Sequence, residues 1–242
     1  MNLMNATACG LLAGALSLSL TVPASAQEGD GDYAAQYPNP DPWEPVNRVV
    51  FRFNDTLDTY ALKPVAKGYD WAMPTPLNEG VTNVFNNLGE PKNLVNNLLQ
   101  GKFHDASVDL SRFLMNTTLG VVGVFDVATR MGLRRNDEDF GQTLGSWGVE
   151  SGPYVMLPFF GPSTLRDGSA FAVEGFAGYS YGSQMDHVPS RNTAVGVDIV
   201  DTRAGLLSQE RLIRGDKYRF IRNAWLQNRE YKVMDGQVED DF

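Results

Sequence analysis

The sequence predicts an all-α protein, mainly helical, with a glycine-rich loop region in its middle, and three observations carry that reading. Apolar residues recur at helical spacing, first at Val46, Val49, Val50, Phe53, Leu57 and Tyr60. Strand-like alternation is missing from the front half, where prolines and glycines stand at intervals that suit helices of modest length. Between residues 119 and 154 the pattern changes, and glycines stand among aromatics at a density that breaks helices.

Taken in order, the first helix follows Asp41-Pro42-Trp43-Glu44-Pro45 and places its six apolar residues in one stripe, closing at Pro64. Phe51 falls on the opposite, polar side with Asn47, Asn54 and Asp58, a side that suits bulk water, with the aromatic either incidental there or a contact for a membrane or partner. A second helix runs from Pro64 to Met73 and stops at Pro74. A third carries Leu77, Val81, Val84, Phe85 and Leu88 and ends before Gly89; Pro91 opens a fourth that reaches Gly101. Phe103, Ala106, Leu110, Phe113, Leu114 and Thr117 continue a helical stripe.

Leu119 to Ala128 and Phe140 to Tyr154 read as loops with at most short strands. After Thr164 helices resume, through a glycine-rich turn at Phe171 to Phe176, then Val195, Ile199 and Leu206, then Tyr218, Ile221, Trp225 and Tyr231.

The N-terminal region has its own logic. No Lys or Arg precedes Arg48, and the apolar run Leu11 to Val22 ends in Pro23-Ala24-Ser25-Ala26, so residues 1–26 read as a signal peptide cleaved after Ala26. The run is too short to span a bilayer. Cys9 is the chain's single cysteine and precedes that run, so it leaves with the signal. A lipoprotein needs its cysteine at the cleavage point, and the expectation is an unacylated mature terminus. Residues 27–40 form a flexible linker, residues 41–235 the folded domain and residues 236–242 an acidic tail.

Composition excludes a partner class. The 242 residues carry 20 Lys and Arg against 29 Asp and Glu, a net charge of -9, and phosphate backbones reward the opposite balance, so no nucleic acid is expected. His104 and His187 have no partner histidine at metal-binding spacing, and no P-loop, dinucleotide fingerprint or serine elbow occurs. Gly145-Ser146-Trp147-Gly148 places its second glycine one residue too early for an elbow. Asp137-Glu138-Asp139 reads as a solvated turn. In Leu157-Pro158-Phe159-Phe160-Gly161-Pro162-Ser163-Thr164-Leu165-Arg166-Asp167 the hydroxyls stand where a helix needs its cap, with Asp167 in the first turn. No catalytic residue, metal or cofactor is assigned.

Several segments, in order along the chain, resemble the MlaA (VacJ) family of outer-membrane lipid-asymmetry proteins. They include Asp41-Pro42-Trp43-Glu44-Pro45-Val46-Asn47-Arg48, Asn96-Asn97-Leu98-Leu99-Gln100-Gly101, Arg112-Phe113-Leu114-Met115-Asn116-Thr117-Thr118-Leu119-Gly120, Phe140-Gly141-Gln142-Thr143-Leu144-Gly145 and the stretch from Leu157 to Asp167. The resemblance implies a ring- or doughnut-shaped, membrane-embedded helical protein on the periplasmic face of the outer membrane, beside a porin trimer. It implies removal of mislocalised phospholipid from the outer leaflet through a central pore, handed to a periplasmic lipid carrier, without enzymatic activity. Residues 116–158 then match a loop beside the pore, with Gly120, Gly123, Gly145, Gly148 and Gly152 as its joints. Asn54 and Asp55 match a region where gating is sensitive, with aspartate at 55 where an aromatic is known elsewhere.

Two other function classes stand beside this one. A secreted periplasmic hydrolase using Ser163 or a carboxylate pair predicts a cleft with a convergent acid and base. A purely structural envelope scaffold predicts no lipid path.

Overall fold

The first helix is built inside out. In the computed structural model, which describes residues 41–178 and 181–236, α1 (Glu44–Leu57) turns its apolar stripe outward. Val46 is 64% exposed and Tyr60, in the π turn that follows (Asp58–Leu62), is 81% exposed. The face expected in water is instead the buried one. Asn47 is buried, and Phe51 packs edge-on against Tyr218 with ring centroids 5.5 Å apart. The signal peptide, the linker and residues 237–242 of the tail lie outside the described residues.

Pro64 does not end this helix. Within the π turn the hydrogen-bond register slips by one residue, so that Lys63 N–H donates to Asp58 O, and α2 (Lys63–Ala72) continues directly. Pro64 then occupies the first turn of α2, where its missing donor costs little.

Gly89 and Pro91 likewise fail to divide the next element. Residues expected as two helices form one, α3 (Thr75–Leu99), with Pro91 inside it. An internal proline costs about 3 kcal/mol or more. What offsets this is a row of polar side chains that ties both halves of α3 to the antiparallel neighbour α4 (Phe103–Thr118). Asn87 donates to Thr117 at 2.9 Å, Arg112 to Glu90 at 2.7 Å and Asn97 to Asp109 at 2.7 Å. Phe103, Leu110 and Leu114 of α4 face the other way, and Phe103 is 72% exposed.

The glycine-rich middle holds more regular structure than its composition suggests. It contains the one-turn α5 (Val127–Arg130), α6 (Phe140–Ser146) and β1 (Tyr154–Leu157). Both short helices begin at an aspartate whose carboxylate accepts a backbone N–H, Asp126 from Thr129 and Asp139 from Gln142. Strand β1 pairs antiparallel with β2 (Gly161–Thr164), with Tyr154 opposite Thr164. The cap of α7 (Leu165–Ala177) is Thr164, whose hydroxyl accepts from Asp167 N–H at 3.2 Å. Ser163 donates to Thr164 O instead. Residues 171–176, expected as a turn, are helical in α7. The remaining long helices are α8 (Val188–Gly205) and α9 (Lys217–Val233).

Packed neighbours close a circuit: α2 on α8, α8 on α3, α3 on α6, α6 on α9, α9 on β2, and β1 back on α1. A small aromatic core sits where α1, the hairpin and α9 meet, at Tyr154, Met156 and Tyr218 with Phe51 and Trp225 against them. Among the described residues no helix is long and apolar enough to cross a membrane.

The Arg112–Glu90 pair, both ends essentially buried, is the strongest link of the polar row. Removing either partner strands the other charge, so Arg112→Leu and Glu90→Leu should each cost about 3–5 kcal/mol, while the double variant loses far less than their sum. Denaturant unfolding in detergent of the two singles and the double measures this; additive losses would show the pair contributes independently.

Candidate functional site

Two cavities meet at the turn of the β-hairpin. The larger, about 350 Å³ and half open, lies between α1, the hairpin, α8 and α9. Its walls are mainly apolar, from Phe51, Met156, Phe159, Ile199 and Phe220 among others. Its charged lining is paired off. Asp55 accepts from Lys217 at 2.5 Å, and Asp58, presented by the π turn, accepts from Arg203 Nε at 2.6 Å and Nη2 at 2.9 Å. Arg203 also binds Glu210, which pairs with Lys63 at 2.6 Å.

Helix α1 holds the hairpin through its amides. Asn47 donates to Tyr154 O at 3.1 Å and accepts from Met156 N–H at 2.9 Å. Two turns on, Asn54 donates to Leu157 O at 2.9 Å and accepts from Phe159 N–H at 2.8 Å. An asparagine amide offers a donor and an acceptor on one plane, the same pair that a neighbouring strand would offer. Two of them seven residues apart therefore satisfy one edge of β1 without a third strand.

The smaller cavity, about 120 Å³, shares Phe160 and Pro162 with the larger one and is lined by charge. Arg229 bridges Asp139, at 2.5 Å, and Asp167, at 2.8 Å, while Lys232 holds Asp137 at 2.9 Å. Burial is the largest influence on Asp137 and raises its pKa, but Lys232, Arg135 and Lys92 outweigh it and hold the carboxyl down at about 2. Burial of Asp139 is likewise outweighed, chiefly by Arg229, and its pKa falls further. Asp137-Glu138-Asp139 is thus no solvated turn: Glu138 is buried against Gln100 and Lys102. Gly141 makes this cluster possible, because a Cβ there would stand 2.3 Å from Arg229 Nη2 and 2.5 Å from Asp167 Oδ1.

Of the residues singled out in the sequence, Asn54 and Asp55 line the larger cavity. The glycines line neither cavity. Gly120 sits where a Cβ would meet Phe125 O at 2.2 Å, and Gly123, with φ of +87°, closes the turn after α4 against Asn87. Gly145 packs on Arg166 and Val233, and Gly148 and Gly152 lie between α6 and β1. Of residues 116–158, only Met156 reaches the larger cavity. Ser163 lines the smaller one together with Asp167 and Arg229, its hydroxyl donating to Thr164 O, and no histidine is among the lining residues. His187 caps α8, its Nδ1 accepting from Ser190 N–H. Arg203, Lys217, Gly141 and the Asp137–Asp139 run were missed as site residues: Gly141 stands in a segment that resembles the family but was not singled out there, and the others showed only as charge.

A family model described as MlaA lipoprotein matches residues 39–232. This chain belongs to the MlaA family. It is 36% identical over 203 residues to the intermembrane phospholipid transport system lipoprotein MlaA of Haemophilus influenzae, covering 82% of this chain and 81% of that protein. It is 37% identical over 205 residues to the protein of that name in Escherichia coli, covering 82% and 80%. A solved structure from work on the structural basis for maintenance of bacterial outer membrane lipid asymmetry superposes with a TM-score of 0.69 at 36% identity, covering 80% of this chain and 98% of that one.

Loss of the Asn54 clamp should loosen the hairpin turn locally. Asn54→Leu is expected to speed amide exchange at Phe159 at least tenfold, with exchange in α3 and α4 unchanged. Hydrogen–deuterium exchange resolved over residues 157–160 checks this, and unchanged protection of Phe159 would count against the clamp.

Proposed function

We propose that this chain moves phospholipid out of the outer leaflet of the outer membrane, through the cavity inside its ring of helices, to a soluble periplasmic carrier. One observation carries the reading: a half-open cavity with mainly apolar walls lies between helices that also carry exposed apolar residues on their outer sides, such as Val46 and Val49 on α1. A lipid-embedded body needs an apolar exterior, and a lipid path needs an interior that tolerates acyl chains and offers polar groups to a headgroup. The relatives' names, for intermembrane phospholipid transport, support the same reading.

In this reading the belt formed by Val46, Tyr60, Trp71, Phe103 and Leu114 rests in the membrane from its periplasmic side. Helical backbone satisfies its own hydrogen bonds there, and the irregular backbone of residues 119–126 is bonded internally, as in Phe125 N–H to Gly120 O at 2.9 Å. Export by the signal peptide and an outer-membrane porin trimer as neighbour belong to the same proposal. Lipid passes chemically unchanged. Asn54 and Asp55 stand on the cavity wall where a change in α1 would alter its width.

The test fills the cavity. In a strain whose own copy is deleted, the chain carrying Leu206→Trp, a position on the cavity wall, should restore asymmetry poorly, with outer-leaflet phospholipid close to that of the deletion. Restoration equal to the unchanged chain, at equal protein level, would overturn the cavity as the path.

A further inference from the structure

The charges of the smaller cavity balance in a revealing way. Asp137 is matched by Lys232, with Arg135 from outside the lining also 3.4 Å away, and Asp139 and Asp167 are matched by Arg229 together with Arg166, which lies 2.8 Å from Asp167. Two charged groups of the lining are left over: Lys92 on α3 and Glu174 on α7. Among the described residues neither makes an ion pair within 4.0 Å. Glu174 accepts one backbone N–H, from Phe140 at 2.7 Å, and Lys92 Nζ has no hydrogen-bonded partner.

Both groups face the same space. Burial pulls the Lys92 pKa down, but Glu174, Asp137 and Asp139 more than offset it and keep the ammonium charged. Burial pushes the Glu174 carboxyl above its ordinary value, with Lys92 opposing. An unpaired charge at such a site is costly unless something binds it. A ligand that brings one negative and one positive group completes both sites and leaves the cavity's net charge unchanged. A ligand with only a negative group would satisfy Lys92 and meet Glu174 as a like charge.

We infer that the smaller cavity is a headgroup subsite for a zwitterionic phospholipid, receiving the phosphodiester at Lys92 and an ammonium group, as in ethanolamine, at Glu174. Position supports this. The cavity adjoins the apolar one across Phe160 and Pro162, so a headgroup here and acyl chains there belong to one amphipathic molecule. The subsite rests on the lipid-transport reading and adds to it a preference between headgroups.

The test titrates the full chain in detergent with short-chain phosphatidylethanolamine and short-chain phosphatidylglycerol, read by native mass spectrometry. Glu174→Gln keeps the oxygen that accepts from Phe140 N–H and removes only the charge. It should weaken the ethanolamine lipid about tenfold and leave the glycerol lipid unchanged or tighter. Lys92→Gln should weaken both. Equal effects of Glu174→Gln on the two lipids, or none on either, would overturn the subsite while lipid binding itself stands. If the unchanged chain binds neither lipid, the transport reading falls and the subsite with it. Glycerophosphoethanolamine, which lacks acyl chains, should follow the same variant pattern more weakly; tighter binding than the lipid would make this a site for a free phosphodiester and overturn the proposal.

Discussion

The amide and charged side chains on the inner faces of the helices hold this fold together. Arg112 between Glu90, Asp126 and the carbonyl of Leu133, Asn97 on Asp109, and Asn47 and Asn54 on the edge of β1 join the elements across the interior. Buried polar groups must be satisfied, and here each one satisfied ties two elements together. Because the polar faces turn inward, the apolar faces are left pointing out. Beside the small aromatic core, the interior holds one cavity with apolar walls and one with charged walls.

The two cavities follow from the hairpin that α1 holds. Its turn, at residues 158–160, sets Phe159 on the apolar space and Phe160 between the apolar and the charged space. Asn54 fixes that turn from one side, while the Arg229 cluster lines the charged space on the other. The partition of apolar from polar lining is therefore set by one short segment. A change there would alter both spaces together.

Much of the helical skeleton was legible, since periodicity finds helices well. Its direction was not. A stripe of Val46, Val49, Phe53 and Leu57 defines a face, but nothing in the spacing says whether that face meets protein or its surroundings. The same ambiguity hid Asn47 and Phe51, whose partners lie more than 100 residues away. Pro91 and Gly89 are local signals, and they lost to the long-range row of Asn87, Glu90 and Asn97, which spacing alone cannot reveal. Asp137-Glu138-Asp139 looked solvated because its cations, Lys232, Lys102 and Arg229, come from distant elements. Asn54 and Asp55 were reached through family resemblance, whereas the need for glycine at 141, also in a resembling segment, shows only in the close approach of Arg229 and Asp167.

The inverted arrangement is tested most directly by locating the outward apolar residues in a bilayer. Nitroxide labels at Val46→Cys, Tyr60→Cys and Phe103→Cys in a Cys9→Ser background, reconstituted in phospholipid vesicles, report collision with oxygen, which favours lipid, and with a water-soluble nickel chelate. Residence of this belt in the membrane predicts high oxygen and low nickel accessibility at all three, with the reverse at a label replacing exposed Asp70. Nickel accessibility at the three positions equal to that at Asp70 would contradict it.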